Sequence, residues 1–229
     1  MKTLLVLNAS GRITRSITRQ LTNRFAESWR AANSDGRVLQ RDLGLNPPPP
    51  VNESWIAAAF TAPAERADTA NETLRVSETL IEEIDAADLV LLGTPIYNFG
   101  MPAQLKAFFD QIVRVGRTFE FTPEAAEPYR PILSPKPVIV VVSAGSAAMH
   151  PGGALAHLNF LEPHLQTVLG FIGFTDVTFI RVGDEEHGGD GFKRSLAAAE
   201  TALDKRAGPP SHINYETQPR LPVTLARPE

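Results

Sequence analysis

Short apolar runs alternate with longer amphipathic segments along most of this chain of 229 residues. The runs at residues 3–7, 89–92 and 138–142 are almost entirely apolar. An unbroken apolar run is typical of a strand that is buried on both faces, as in a parallel sheet between two helical layers. Two further strands, with mixed apolar and polar residues, are predicted at residues 37–42 and 176–182.

The segments between these strands repeat apolar residues every three or four positions, which predicts amphipathic helices. In the helix that begins at residue 16, Leu21, Phe25 and Trp29 form the apolar stripe. The third strand is expected to stop at Gly93. The other predicted helices span residues 54–60, 63–84, 102–116, 155–171 and 191–205, and a short hairpin strand at residues 118–121 precedes a proline-rich loop at residues 123–137.

The alternation of strands and helices predicts an α/β protein, a three-layer α/β/α sandwich around a five-stranded parallel sheet. Right-handed crossovers leave few topologies, and the doubly wound strand order 2-1-3-4-5 is the expected one. Open α/β sheets bind ligands where the strand order reverses, here between the first and third strands. The loops at residues 8–18, 94–100 and 143–146 should therefore converge on one crevice.

The loop at residues 8–18 has a composition that suits phosphate. Ser10, Ser16 and Thr18 offer hydroxyl groups, and Arg12 and Arg15 add positive charge. The helix amino terminus that follows carries unpaired N–H groups and a partial positive charge, which attract phosphate. The alternative is that Ser16 only caps the helix, because serine is a favoured N-cap residue. One helix terminus can serve both roles.

Two common nucleotide motifs are missing from the chain. It contains neither GxGxxG nor GxxxxGK[ST], so a dinucleotide fingerprint and a P-loop are not supported. The loop after the third strand instead contains Ile96-Tyr97-Asn98-Phe99-Gly100. Its aromatic rings, amide group and glycine-flanked backbone suit a flat, partly apolar ring system that also forms hydrogen bonds.

Composition and charge narrow the classes of function. The formal net charge is −4, which favours neither a nucleic-acid partner nor an anionic membrane surface. The chain has no cysteine, so disulfides, thiolate metal sites and cysteine nucleophiles are excluded. The amino-terminal apolar run is too short for a signal peptide, and no run is long enough for a membrane span. We therefore expect a cytoplasmic protein.

Several segments resemble one enzyme family. The pattern TPIYNFGMPAQLK at residues 94–106 is followed by Gly116-Arg117-Thr118-Phe119, and the segment LGFIGFTDV occupies residues 169–177. With the serine-rich amino-terminal loop, these motifs resemble the FMN-dependent NADH-azoreductases, which belong to the flavodoxin-like NAD(P)H:quinone oxidoreductases. The resemblance covers most of residues 1–205. It predicts a flavodoxin-like FMN-binding domain at residues 1–207, followed by a proline-rich tail at residues 208–229.

The resemblance also implies a cofactor, partners and residue roles. It implies FMN, with NADH or NADPH as the electron donor, and a homodimer with active sites at the subunit interface. Turnover would proceed in two steps (ping-pong), with a quinone or an azo compound as the acceptor. The implied cofactor-binding residues are Ser10, Ser16, Ile17, Thr18, Pro95, Ile96, Tyr97, Asn98, Phe99, Ser143 and Gly145, and Phe119 and Phe121 would shape the substrate pocket.

The implied site includes backbone donors and a loop whose sequence departs from the family pattern. The backbone amides of residues 96–99 would favour the electron density that grows on the flavin when it is reduced. The family often has an arginine where this chain has Ala144, and residues 147–153 form a longer insertion, so the resemblance leaves the placement of this loop open.

The predicted function is an FMN-dependent NAD(P)H oxidoreductase that reduces quinones, azo compounds or both. No catalytic side chain is nominated, because the cofactor carries out the hydride chemistry. No metal site is predicted, since the histidines are interpreted as solvated, and the acidic run at residues 184–186 is interpreted as solvated surface. The alternatives are a flavodoxin-like electron carrier and a non-enzymatic binding protein with the same fold.

Overall fold

Five strands pair in parallel at the centre of the protein, according to a computed structural model that describes residues 1–207. The predicted tail at residues 208–229 lies outside the described residues. The sheet strands are β1 (Thr3–Asn8), β2 (Arg37–Asp42), β3 (Leu89–Pro95), β6 (Val138–Ser143) and β7 (Val177–Val182). A separate antiparallel hairpin contains β4 (Phe119–Phe121) and β5 (Tyr129–Pro131).

The strand order in the sheet is β2-β1-β3-β6-β7. The predicted numbering 2-1-3-4-5 does not allow for β4 and β5, which lie between the third and fourth sheet strands in sequence but pair only with each other. The prediction of a loop throughout residues 123–137 was wrong at β5. That strand is only three residues long and has no apolar alternation, so the sequence carries little signal for it.

Helices cover both faces of the sheet, as the unbroken apolar strands predict. In β1, Leu4 and Val6 pack in one buried cluster, and Leu5 and Leu7 pack in another on the opposite face. All four side chains are almost completely buried, which is why the strand shows no polar alternation. The helices are α1 (Ile17–Ala32), α2 (Glu53–Phe60), α3 (Asp68–Asp85), α4 (Ala103–Ile112), α5 (Leu161–Phe171) and α6 (Gly189–Ala207).

Different helices form the layers on the two faces of the sheet. Residues of α1 and α6 pack in the cluster that contains Leu4, and residues of α3, α4 and α5 pack in the cluster that contains Leu5. Within the described part of the chain, no helix combines the length and apolar character needed to cross a membrane.

The helix predicted over residues 63–84 is interrupted. A 3-10 turn at Pro63–Glu65 precedes α3, and Arg66 between them has an extended backbone. The Nε of Arg66 donates hydrogen bonds to the carbonyl oxygens of Ala58 and Thr61, both at 3.0 Å, which anchors the chain where it leaves α2. Ala67, a predicted core contact, is therefore exposed.

Three other predicted boundaries also move. Strand β3 continues past Gly93, because residues 93–95 still pair with β6. Helix α4 ends at Ile112 instead of near Gly116, because the Thr118 hydroxyl donates to the Ile112 carbonyl at 2.8 Å and ends the helical hydrogen bonding there. Helix α5 begins at Leu161 instead of residue 155, and the preceding residues form a 3-10 turn at Ala156–Leu158.

Gly44 lets the chain leave β2 in close contact with the loop after β1. The N–H of Leu43 donates to the Asn8 carbonyl at 2.9 Å, which holds the two segments together. A Cβ atom on Gly44 would lie 2.2 Å from the carbonyl oxygen of Ser10. Because this neighbour is backbone and cannot rotate away, only glycine fits at this position.

We expect Gly44→Ala to lower the free energy of unfolding by about 1–3 kcal/mol, because the new methyl group overpacks against backbone. Gly170→Ala is the matched control, since a Cβ atom on this glycine of α5 meets no atom within 4 Å. That change should raise the free energy of unfolding by about 0.5–1 kcal/mol through helix propensity. Urea denaturation of both variants checks the pair, and an equal effect in the two would contradict the close packing at Gly44.

Candidate functional site

A cavity of about 130 Å³ opens at the carboxyl ends of β1, β3, β6 and β7. It is smaller than the roughly 300–1,000 Å³ of a pocket that encloses a whole ligand, so it can enclose one end of a larger molecule. Its lining residues are Ser10, Arg12, Ser16, Ile17, Pro95, Ile96, Tyr97, Ser143, Gly145, Glu185 and Glu186. All except Arg12 and the two glutamates are predicted cofactor residues, so the three predicted loops do converge on one crevice.

The amino terminus of α1 forms one wall of this cavity. The Oγ of Ser16 accepts a hydrogen bond from the Arg19 N–H at 3.3 Å, so Ser16 is the helix cap that the alternative interpretation proposes. Ser16 also lines the cavity, so the capping role does not exclude a ligand-binding role. The predicted residue Thr18 lies outside the cavity lining. Its Oγ1 is buried and lies 3.1 Å from the Ser16 Oγ.

The loop that precedes α1 carries the positive charge of the cavity. The N–H of Arg12 donates to the Oγ of Ser10 at 3.2 Å, which closes a tight turn. The side chain of Arg12 is 62% exposed, and its guanidinium donates to a carboxylate oxygen of Glu185 at 2.6 Å. This ion pair joins the loop after β1 to the loop after β7, two segments on different sides of the cavity.

The interpretation of residues 184–186 as solvated surface was wrong for Glu185, whose side chain is only 20% exposed, whereas Glu186 is exposed as expected. Both residues line the cavity, because they directly follow β7 at the same edge of the sheet as the other loops. The Glu186 carboxylate lies against Gly145, where an added Cβ atom would be only 2.6 Å from the Glu186 Cδ. Position after a strand's carboxyl end was the signal that could have identified them.

The loop between β3 and α4 is a tight turn with an unusual backbone. Tyr97 and Gly100 exchange two backbone hydrogen bonds, of 3.1 and 3.0 Å. The two central residues have positive φ angles, 45° at Asn98 and 72° at Phe99. A bulky residue seldom adopts this left-handed conformation, and such strain is concentrated at functional sites. Asn98 and Phe99 are exposed and lie outside the cavity lining, whereas Tyr97 is part of it.

Within residues 1–207, only two of the amides at residues 96–99 are free for the role expected from the sequence. The N–H of Ile96 donates to the Ser143 carbonyl at 2.9 Å, and the N–H of Tyr97 donates to Gly100. Among the described residues, the N–H groups of Asn98 and Phe99 have no protein acceptor. These two amides are therefore the donors that remain for a ligand above the turn.

Gln104 links this turn to the amino-terminal loop. Its Nε2 donates to the Ala9 carbonyl at 2.7 Å, and Gln104 stands in the first turn of α4, directly after the tight turn. The hydroxyl of Tyr97 also reaches the amino-terminal loop, 3.7 Å from where a Cβ atom on Gly11 would be. The role of Gln104 cannot be predicted from the sequence, because only the folded chain brings it next to Ala9.

The altered segment after β6 is anchored to the loop after β7. Ser143 is buried, and the Ala144 N–H donates to the Val182 carbonyl at 2.9 Å. The N–H of Ala147 then donates to the Asp184 carboxylate at 2.8 Å. Gly145 therefore reaches the cavity as expected.

His150 follows in the same segment and is not the solvated side chain expected from the sequence. Within residues 1–207, neither ring nitrogen has a hydrogen-bond partner, and both nitrogens are buried. Burial, the largest influence, lowers the pKa of His150 below its usual value of 6.5, although the Val182 backbone, which is near the ring without meeting hydrogen-bond geometry, and the Glu162 carboxylate oppose this shift. The imidazole is therefore neutral at physiological pH.

The predicted substrate residues lie outside the cavity lining. Phe119 and Phe121 belong to an aromatic cluster on the hairpin, in which the Phe119 ring is 4.9 Å from Phe171 and the Phe121 ring is 5.0 Å from Tyr129. Phe121 is 49% exposed, so its ring is available to a ligand or to another chain. Their contact with a substrate remains a prediction.

Comparison with known proteins agrees with the fold and with the resemblance found in the sequence. A family model described as flavodoxin-like fold matches residues 2–207. An FMN-dependent NADH:quinone oxidoreductase from Opitutus terrae is 59% identical over 204 residues, which cover 89% of this chain and 96% of the relative. An FMN-dependent NAD(P)H:quinone oxidoreductase from Pseudomonas aeruginosa is 40% identical over 89% of this chain and 97% of its own length.

Solved structures share the fold at lower sequence identity. An azoreductase from Bacillus anthracis superposes with a TM-score of 0.80 at 22% identity, over 90% of this chain and 99% of that chain. An FMN-dependent NADH-azoreductase from the same species, solved in complex with FMN, has a TM-score of 0.79 at 17% identity, over 90% of this chain and 98% of that chain.

The buried His150 leads to a prediction about pH. Because its pKa is lower in the folded protein than in the unfolded chain, the unfolded chain binds more protons just below the usual histidine pKa. This contribution should make the free energy of unfolding fall as pH drops from about 7 to about 5. His150→Gln should lose less stability over that range than the wild type.

Urea denaturation at several pH values measures this difference, with His164→Gln on the exposed side of α5 as the control for loss of one imidazole. Parallel pH profiles for the wild type and His150→Gln would contradict the burial of a neutral His150.

Proposed function

The chain belongs to the family of FMN-dependent NADH:quinone oxidoreductases and has a flavodoxin-like fold, and we propose how its cavity serves that activity. The protein is an oxidoreductase that uses FMN and NAD(P)H to reduce quinones. The main support for this function is the 59% identity to the O. terrae enzyme across nearly the whole of that protein. It confirms the predicted enzyme over an electron carrier or a non-enzymatic binding protein.

We propose that the FMN phosphate binds between the loop after β1 and the amino terminus of α1. The hydroxyls of Ser10 and Ser16 line this cavity, and α1 has no acidic residue in its first turn that would oppose an anion. A helix amino terminus stabilises phosphate through its unpaired N–H groups and its partial positive charge. Arg12 adds a guanidinium, and its pairing with Glu185 offsets a carboxylate that would otherwise repel the phosphate.

We propose that the flavin ring lies over the turn at residues 96–99. Tyr97 supplies an aromatic surface beside Pro95 and Ile96, and the N–H groups of Asn98 and Phe99 are left to donate to the ring. The strained turn presents these two donors on a fixed backbone, which lowers the cost of organising them in the complex. Ser143 and Gly145 would contact the opposite edge of the ring.

Bound FMN supplies two-electron chemistry, in which the hydride of NADH or NADPH and one proton from water convert a quinone into its hydroquinone. The residues of this chain bind and orient the participants. None of the cavity side chains needs to act as an acid or base. The proposal therefore includes no catalytic side chain.

A homodimer is also part of the proposal. Phe99 is 49% exposed and Phe160 is 62% exposed, and the two residues are adjacent because the Phe160 N–H donates to the Phe99 carbonyl at 2.9 Å. Exposed aromatic residues beside a site often mark a surface that another chain covers. A second copy there would complete the walls of a cavity too small for a whole flavin. Sedimentation equilibrium of the full chain tests this, and a monomer at micromolar concentration would refute it.

The proposal also covers a second class of electron acceptor and the cellular compartment. Azo compounds are proposed as alternative acceptors, because they accept two electrons and two protons in the same way as quinones. A cytoplasmic location is proposed because that compartment supplies NADH.

An absorbance spectrum under anaerobic conditions tests the function directly. FMN-reconstituted protein should show flavin bands that bleach within seconds of adding NADH or NADPH and return when a quinone is added. Bands that bleach only with dithionite would contradict the reductase and favour an electron carrier. Protein that retains no flavin would contradict the cofactor assignment.

Two variants of Tyr97 distinguish a contact of its aromatic ring with the flavin from a contact of its hydroxyl group. Tyr97→Ala should raise the dissociation constant for FMN by about 3- to 10-fold, because the aromatic surface beside the flavin is lost. Tyr97→Phe keeps the ring and should stay within about twofold of the wild type. A fluorescence titration measures both, and unchanged affinity of Tyr97→Ala would remove this residue from the site.

A further inference from the structure

Arg19 supports the loop between β1 and α1, where the FMN phosphate is proposed to bind, from the side away from the first cavity. It lies in the first turn of α1, and its side chain is only 11% exposed. The Nε donates to the Arg12 carbonyl at 2.9 Å, and one terminal nitrogen donates to the Ser10 carbonyl at 2.7 Å. A single guanidinium therefore holds two carbonyl oxygens of the loop whose residues line the cavity.

Asp42 fixes the other side of this guanidinium. Both terminal nitrogens of Arg19 donate to the Asp42 carboxylate at the end of β2. Burial, the largest influence, raises the pKa of Asp42, but hydrogen bonds from Arg19 and from the Leu45 and Gly44 N–H groups outweigh it and hold the pKa below its usual value. Asp42 therefore stays ionised and neutralises Arg19, so the effect of Arg19 on the loop is geometric and not a matter of added charge.

A second cavity shows why the loop needs this support. A space of about 570 Å³ lies on the far side of the loop and is lined by Arg19 and Asp42 among others, while Arg19 does not line the first cavity. Ser16 lines both spaces, so this part of the chain is a thin wall between them. Without the guanidinium, the loop would have room to shift into this second space, which would move the Ser10 hydroxyl away from the phosphate position in the first cavity.

We propose that Arg19 is a positioning residue for the FMN phosphate, because it holds the Ser10 and Arg12 carbonyl oxygens on the side of the loop away from the first cavity. This inference rests on the proposed function. It predicts an effect on the phosphate end of the cofactor and none on the flavin ring, which separates it from a general role in stability.

The test compares FMN with riboflavin, which has the same ring system but lacks the phosphate. Dissociation constants of both for the full-length apoprotein are measured by quenching of flavin fluorescence. Arg19→Met should weaken FMN by about tenfold to a hundredfold, because two charge-assisted hydrogen bonds that shape the loop are lost and the Asp42 carboxylate is left without its partner. Riboflavin should stay within about twofold of the wild type.

Two further variants control the comparison. Arg24→Met removes another arginine of α1, whose partners Glu200 and Asp204 are on α6, and should leave both dissociation constants unchanged. Arg19→Lys keeps the charge and most of the packing, but one ammonium group cannot replace the planar fork of donors. It should weaken FMN more than riboflavin, and it serves as the test if Arg19→Met does not fold.

Isothermal titration of the apoproteins with inorganic phosphate gives a second readout that does not involve the ring, and Arg19 variants should bind phosphate more weakly than the wild type. Equal losses for FMN and riboflavin, or unchanged FMN affinity, would overturn the role of Arg19. A wild-type protein that binds FMN no more tightly than riboflavin would instead overturn the proposed phosphate site, and the inference with it.

Discussion

Parallel pairing of β1 with β3, and of β3 with β6, is the constraint on which the candidate site depends. Parallel strands end at the same edge of a sheet, so residues far apart in sequence share one crevice there. The order β2-β1-β3-β6-β7 reverses direction between β1 and β3, and the loops on the two sides of that point diverge and leave a gap. The near-complete burial of both faces of β1, β3 and β6 holds these strands in register, and therefore also fixes the loops that follow them.

Electrostatics within the crevice are mixed and closely balanced. The amino terminus of α1 and Arg12 favour an anion, while Glu185 and Glu186 oppose one. The ion pair between Arg12 and Glu185 reduces this opposition and ties the two sides of the crevice together. Arg19 belongs to a separate, neutralised pair with Asp42, so its contribution is to hold the shape of the loop and not to attract a ligand.

The fold and much of the cavity could be predicted because their signals are local. Unbroken apolar runs identify β1, β3 and β6, and the loops that follow them contain Ser10, Ile96 and Gly145. The break before α3 could not be predicted, because it depends on hydrogen bonds from Arg66 to residues that only the folded chain brings near.

The site residues that sequence analysis missed also depend on contacts over long sequence separations. Gln104 is 95 residues from Ala9, and Arg12 is 173 residues from Glu185. An acidic run such as residues 184–186 is normally solvated surface, and only its place after β7 gives it another role. The positive φ angles at Asn98 and Phe99 were not predictable either, because neither residue type requires them.

A crystal structure of the full-length protein reconstituted with FMN is the most direct test of the site. We expect the phosphate within hydrogen-bonding distance of the Ser10 and Ser16 hydroxyls, with the ring over the turn at residues 96–99. A phosphate found in the second cavity beside Arg41 and Asn46, with the first cavity empty, would contradict this expectation.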